Sequence, residues 1–301
     1  MAELGEIRER LENLAVIEHL IRSMRAMSAI RWRKARNSLE AVQRYAARVQ
    51  EQLSVSVSYP TRLVRGSGST GHFRTNHIAL VVIASDHGLC GPFNSVLFHT
   101  ADVYIDRWRG EGKAVSVIAL GEFARRYYAA KQGESYLLWT QRFPLTHVVS
   151  FIEARDVWSK IEQLYQQENL DQIYLVYNYF ISFGSYRQRL VRLLPPELKP
   201  LNLSKDEAPI LGGKAIELQQ FLLFEHLALQ LYLGLVESMV SEQGARLQAM
   251  DAAKSNIDER TAELQRTYHI ARQEGITEEM LEIASGAGSL GNVSPSLASR
   301  G

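Results

Sequence analysis

The chain has 301 residues, 46% of them hydrophobic, with 34 basic side chains against 33 acidic ones and a formal net charge of +1. That length accommodates one α/β core plus extended helices, and the near-neutral balance excludes a globally polycationic nucleic-acid binder. Cys90 is the single cysteine, so no intramolecular disulfide can form, and the eight histidines are scattered with no cysteine pair to complete a metal site.

The chain start, MAELGEIRER, has charges but no apolar core and does not read as a secretory signal. From Glu6 to Tyr59 there is neither proline nor glycine, which predicts one long helix, reaching roughly 80 Å at 1.5 Å per residue. Ile7, Leu14, Ile21, Ser28, Ala35, Val42 and Val49 recur at the heptad period and form one edge of a seam. Leu4, Leu11, Trp32, Leu39, Ala46 and Leu53 form the other. Glu18 and Arg25 interrupt the second edge, and Ile17, Leu20, Met24 and Met27 carry an apolar stripe one position over. Either the packing adjusts locally there or this end of the helix leaves its partner and meets another protein.

Charge is concentrated locally. Arg22, Arg25, Arg31, Arg33, Lys34 and Arg36 follow one another with no acidic residue between them. Such a run is either a solvated helix face or the match to an acidic partner surface.

After a Gly/Ser linker (GSGSTG, 66–71), the middle of the chain changes character. HIALVVIA (77–84) and AVSVIAL (114–120) read as buried strands, with a helix expected over 94–109 between them. Helices over 122–131 and 151–169 follow, then a strand over 172–180 and an edge strand over 186–194 closed by Pro195 and Pro196. This alternation predicts a mainly parallel, Rossmann-like α/β domain with helices packed on the sheet.

The loop SDHGLCGPFN (85–94) is the one place where catalysis could be sought. Gly88 and Gly91 at a strand-to-helix turn could cradle phosphate, and Asp86, His87 and Cys90 could supply a nucleophile and base. No GxxxxGK[ST] or GxGxxG is present. The competing reading makes Cys90 a small buried hydrophobe and Gly88 a turn glycine.

A proline-rich connection (194–213) leads to the last element. Ile210 to Val293 lacks proline, and Leu222, Leu229, Val236, Gln243, Met250, Ile257, Leu264 and Ala271 repeat the heptad period. Phe221 to Val240 is its most apolar stretch, but as a membrane span it would carry Glu225, His226, Gln230 and Glu237, so a soluble chain is expected. The domains expected are a coiled-coil helix (1–60), an inserted α/β domain (72–200), a second coiled-coil helix (210–287) and a disordered Gly/Ser-rich tail (288–301).

Three motifs together resemble the gamma-subunit family of F-type ATP synthases: the EIRERLENL start with its Met-rich then basic continuation, the SDHGLCGPFN loop, and SEQGARLQAMDAAKSN…ARQEGITEEMLEIASGA (241–287). The resemblance spans nearly the whole chain in order. It implies a non-catalytic rotor shaft. The terminal helices would form an antiparallel coiled coil threading a ring of alpha and beta subunits, while the α/β domain sits with the epsilon subunit and the membrane c-ring. One copy per complex, no cofactor, no metal and no nucleic acid are implied. So is a peripheral position on the cytoplasmic face of a membrane, plasma or thylakoid, with ion flow turning the shaft for synthesis.

Residue by residue, the resemblance implies that Arg22, Met24 and Arg25 lie near an acidic C-terminal loop of the beta subunits, as does Arg246. Asp86, His87 and Cys90 would lie near the lower part of a beta subunit. Arg272 and Gln273 match the family's contact with a beta-subunit loop, and Thr277 and Glu279 match positions beside it. His87 stands where the family has Arg, Pro92 where it has Gly, and LAVIEHL (14–20) replaces a polar NTQKIT-like stretch. Gly275 replaces a small apolar residue. The paired cysteines of the chloroplast regulatory insertion are absent. A coiled-coil adaptor or scaffold would share the helices without needing the loop or the ARQEGIT motif, and a small-molecule enzyme would need the loop to bind ligand.

Overall fold

The computed structural model describes residues 2–57, 76–133, 136–143, 148–197 and 215–290. The GSGSTG linker, most of the proline-rich connection and residues 291–301 lie outside the described residues. Among the described residues ten elements follow in order: α1 (Ala2–Val57), β1 (His77–Ile83), α2 (Phe93–Gly110), β2 (Ala114–Leu120), α3 (Glu122–Gln132), β3 (Leu137–Gln141), α4 (Phe151–Gln167), β4 (Gln172–Ser182), β5 (Ser185–Leu194) and α5 (Ala215–Leu290). They make two compact units, Met1–Met24 with Met250–Gly301, and Arg25–Ala249.

In the larger unit the strands form one sheet in the order β3-β2-β1-β4-β5. β1 to β4 are parallel, as β-branched runs buried on both faces require, and β5 returns antiparallel along β4. Its hairpin register pairs Tyr177 with Arg189 and Phe180 with Tyr186. One face is covered by α2 and α3, through Leu97, Ala101, Ile105 and Tyr128. On the other, α4 contributes Trp158 and Ile161 and α5 contributes Leu227, Leu231 and Leu235. Ser150 starts α4 with a capping box: its hydroxyl accepts from the Glu153 amide while the Glu153 carboxylate accepts from the Ser150 amide.

β3 is the strand that the sequence pattern did not announce. LLWTQ is short, half-buried at every position, and pairs with β2 through a register irregularity at Val117/Ile118. Neither alternation nor a fully apolar run marks it.

Helix α5 belongs to two layers of this unit at once. No residue from Leu227 to Leu247 is exposed, because one side of the helix packs on the sheet and another on α1. Its apolar stretch is thus core. Ala35 and Leu39 of α1 meet Val236 and Val240, and Ala46 and Val49 meet Leu229, so the helices run antiparallel. Polar pairs keep the same register: Tyr45 donates to Glu225 at 3.0 Å, and Gln219 donates to the Ser56 carbonyl.

The smaller unit repeats the arrangement. Ile7, Ile21, Met250 and Ile257 are buried. Leu14 shares a groove with Leu264, and Leu4 lies beside Gly275, again antiparallel.

Two expectations change. The apolar stripe does not move over at Glu18 and Arg25: Ile17, Leu20 and Met27 are 45%, 56% and 50% exposed, whereas Ile21 and Ser28 are buried on the original heptad edge. Glu18 stays half-buried because Arg22 draws its carboxylate outward at 2.6 Å. At the other end α5 continues to Leu290, so residues 288–290 are helix rather than tail.

Candidate partner-contact surfaces

In the larger unit the loop after β1 sits at the carboxyl end of the sheet, where strand order reverses between β1 and β4. In open α/β folds this crevice is the usual ligand site. Here the chain fills it with its own α5. Ser241 donates to the Asn178 carbonyl of β4 at 3.2 Å, Ala245 packs on Cys90 and Phe93, and Arg246 reaches the loop itself. A cavity of about 40 Å³ remains, bounded by Asp86, Phe143, Ser238 and Glu242 among others. That is room for a water, not for a nucleotide.

Asp86 and Cys90 are engaged internally, whereas His87 is exposed and contributes only its backbone carbonyl. Asp86 accepts from the Glu122 amide at 2.7 Å and the Phe143 amide at 2.6 Å, tying the ends of β1, β2 and β3 together. Glu122 in turn is held down to about 2 by hydrogen bonds from Arg125 and Arg126. Gly121 permits this closure: its φ is 107°, and a Cβ there would lie 2.2 Å from the Ala84 carbonyl oxygen.

Cys90 is 2% exposed. Its sulfur lies near the Ser85 hydroxyl (3.9 Å) and the Asn94 amide (3.7 Å), and Asn94 also donates to Ser85 at 2.7 Å. Burial pushes the thiol pKa up, and the Glu242 carboxylate adds to the rise while Arg246 opposes it. A nucleophilic cysteine needs the opposite shift, so the nucleophile reading of Asp86, His87 and Cys90 has no support in this geometry.

Arg246 is 3% exposed, an internal residue rather than a surface cation. Its Nη2 donates to Glu242 at 2.7 Å and to the His87 carbonyl at 3.0 Å, and its Nε donates to the Gly88 carbonyl at 3.2 Å. Burial raises the Glu242 carboxyl pKa, and the guanidinium pulls it back. The pattern S-E-x-x-x-R in an otherwise apolar helix was the available signal for this pair. Ser85, Asn94 and Glu242 were not singled out from sequence, because their partners are remote in the chain.

The remaining candidates are exposed or half-buried helix positions. Arg22 pairs with Glu18 at 2.6 Å, and Met24 beside it is half-buried. Arg25 is exposed in the larger unit, where Arg36 further along the basic run pairs with Glu40 at 3.0 Å. Arg272, Gln273, Thr277 and Glu279 are all exposed on α5 in the smaller unit, with Thr277 donating to the Gln273 carbonyl at 2.8 Å. Thus Asp86, His87, Cys90 and Arg246 are brought together in one unit, and Arg272 to Glu279 share one helix end in the other. Among the described residues no three His, Cys, Asp or Glu side chains converge as a metal site would need.

The family model described as ATP synthase matches residues 3–290. The ATP synthase gamma chain of Geobacter sp. (strain M21) is 30% identical over 297 residues, covering 96% of this chain and 99% of that one. That of Alkaliphilus metalliredigens is 32% identical over 295 residues, covering 95% and 98%. Among solved structures, a chain of the Euglena gracilis mitochondrial ATP synthase (OSCP, F1 and c-ring) superposes with a TM-score of 0.66 at 16% identity, covering 100% and 99% of the two chains. A chain of the Tetrahymena thermophila mitochondrial enzyme's central stalk and c-ring gives 0.56 at 22% identity, covering 78% and 99%. These two likenesses concern the fold.

Proposed function

Because this chain belongs to the ATP synthase gamma-chain family, we propose that it is the central-stalk rotor of an F-type ATP synthase, coupling ion flow through a membrane c-ring to catalysis in an alpha/beta hexamer. The observation that carries the reading is the helix pairing. In each unit α1 and α5 run antiparallel with apolar heptad positions between them, as a torsionally stiff shaft requires. A coiled-coil adaptor would share the helices but not a family match from residue 3 to 290.

The chain itself is non-catalytic on this reading. It has no phosphate-binding motif, and α5 occupies the crevice where a Rossmann-like fold would take a nucleotide. Its mechanical role follows from asymmetry: a shaft that presents a different face to each catalytic subunit biases them toward different conformations, and turning it exchanges those states. The complex is peripheral to a membrane, at its cytoplasmic face, with the epsilon subunit beside the α/β domain.

Contact roles divide by placement. Arg22, Met24 and Arg25 face acidic loops of the beta subunits, and Arg272, Gln273, Thr277 and Glu279 face a beta-subunit loop. Asp86, Cys90 and Arg246 act at one remove, by holding the loop that carries His87 toward its partner. Co-purification with mass spectrometry tests the assembly: alpha and beta subunits with one copy of this chain per hexamer are expected, and their absence would end the rotor reading. Within such a complex, replacing Arg25 and Arg33 by Glu should weaken coupling most at low salt, since exposed charges are screened over about 10 Å at 0.1 M ionic strength. Coupling indifferent to both charge and salt would remove the basic run from the interface.

A further inference from the structure

The hairpin between β4 and β5 touches both long helices. Its turn is two residues, Phe183 and Gly184, between the paired Ser182 and Ser185, and Gly184 takes a left-handed φ of +70°. The tip rests on α5 where that helix has no side chain. A Cβ at Gly244 would lie 3.2 Å from the Gly184 nitrogen and 3.5 Å from Nε1 of Trp32, so hairpin backbone and indole both crowd onto the bare face of one glycine. Two aromatic side chains of the hairpin then reach α1. Phe183 meets Trp32 edge to face with ring centroids 5.2 Å apart, and the Arg36 guanidinium, one turn along α1, sits 5.5 Å from the centre of the Phe180 ring.

The hairpin arrives where the two helices hold each other least well. Ala35 and Leu39 meet Val236 and Val240, and the same antiparallel register sets Trp32 against Gln243 and Gly244. Gln243 is fully buried on a heptad position that leucine, valine or methionine fills elsewhere along α5. Its amide oxygen has no hydrogen-bond partner, and neither has the Trp32 indole N–H. Ser28, one turn away on the buried edge of α1, is polar as well. Buried polar groups left unpaired weaken the contact around them, whereas apolar heptad positions strengthen it. At this level the pairing of α1 with α5 therefore draws on a support outside the seam, and the hairpin tip stands there.

We propose that the β4–β5 hairpin tip is a brace that holds α1 against α5 at this polar layer, with Phe183 as the positioning residue and Gly244 as its seat. This rests on the rotor reading above and adds to it a mechanical part within the larger unit. The brace ties both helices to the sheet, so the helix pair and the α/β domain twist together.

The test reads local opening of α1 in the free chain and torsion in the assembled complex. Phe183 is 50% exposed, so Phe183→Ala should leave the unfolding midpoint nearly unchanged. Amide exchange over residues 28–36 should quicken by roughly 3- to 10-fold, the worth of one aromatic pair, with β1 and β2 protected as in wild type. Phe183→Tyr should restore wild-type exchange, and Gly244→Val should reproduce the loss with Phe183 intact. With the alpha/beta hexamer immobilised and stalled, the angular spread of a probe on the α/β domain should widen in Phe183→Ala and recover in Phe183→Tyr, a readout that simple packing would not move. Unchanged exchange in α1 for both Phe183→Ala and Gly244→Val would overturn the brace. So would equal acceleration in β1 and β2, which would make the hairpin a general stabiliser. Quickened exchange with unaltered angular spread would remove the mechanical role and leave the rotor reading in place. Failure of the wild-type chain to assemble at all would instead remove the rotor reading, and the mechanical role with it.

Discussion

Arg246 and His87, 159 positions apart in the chain, are joined by a 3.0 Å hydrogen bond from the guanidinium Nη2 to the His87 carbonyl. Since the same guanidinium neutralises buried Glu242, truncating it leaves a carboxylate with no partner charge. Arg246→Met should destabilise the chain by about 3–5 kcal/mol in urea unfolding, the range for breaking a buried pair from one side. Cys90 supplies a second readout. Its thiol is buried while the loop is clamped, so Arg246→Gln should accelerate maleimide labelling, followed by mass spectrometry. Unchanged labelling would mean that the loop is held without the clamp.

Glu237 gives a pH prediction. It is 1% exposed, takes a 3.4 Å contact from Gln43 of α1, and has one carboxylate oxygen with no hydrogen-bond partner. Burial raises its pKa above the ordinary carboxylate value, with Tyr177, Gln43 and Arg189 pulling the other way. A carboxyl with a raised folded pKa binds its proton more tightly folded than unfolded, so its contribution is favourable at low pH and is lost as pH rises from the unfolded pKa through the folded one. Glu237→Gln should therefore be more stable than wild type at pH 7, with the difference shrinking toward pH 4. An equal difference at both pH values would show that Glu237 does not titrate in this window.

Within the smaller unit, burial orders three substitutions. Met250 is 3% exposed, Leu264 half-buried and Glu263 exposed. Met250→Asp buries an unpaired charge and should cost several kcal/mol, Leu264→Asp less, and Glu263→Lys under about 0.5 kcal/mol. Chemical denaturation followed by circular dichroism would rank them. Equal tolerance at all three would contradict the heptad seam.

Gly275 lies inside the continuous helix α5. A Cβ there would meet only the Leu4 Cδ1 atom at 3.9 Å, an ordinary contact. Gly275→Ala should stabilise the helix by about 1 kcal/mol, seen as slower amide exchange around residue 275. Faster exchange would mean that the site needs the glycine.

Much of this architecture is legible in the sequence because its signals are periodic. The heptad edge from Ile7 to Val49 is buried or half-buried at every position, and the runs HIALVVI and AVSVIAL are the two central parallel strands. Periodicity misled at Ile17, Leu20 and Met27, whose apolar character suggested a moving seam. They face outward, and Ser28, a polar residue, is buried instead. β3 escaped notice because an edge strand half-buried throughout has no pattern of its own.

The sequence by itself determined which segments are helix and strand, β3 excepted, that a mainly parallel sheet lies between two long helices, and which family the motifs resemble. These are local or repeating properties, written into neighbouring residues. Only the tertiary structure decided the fate of individual polar groups. Arg246 reads as one more cation on a helix until Glu242, His87 and Gly88 enclose it. Whether a charge is solvated or buried depends on groups far away in sequence, and no local pattern carries that information.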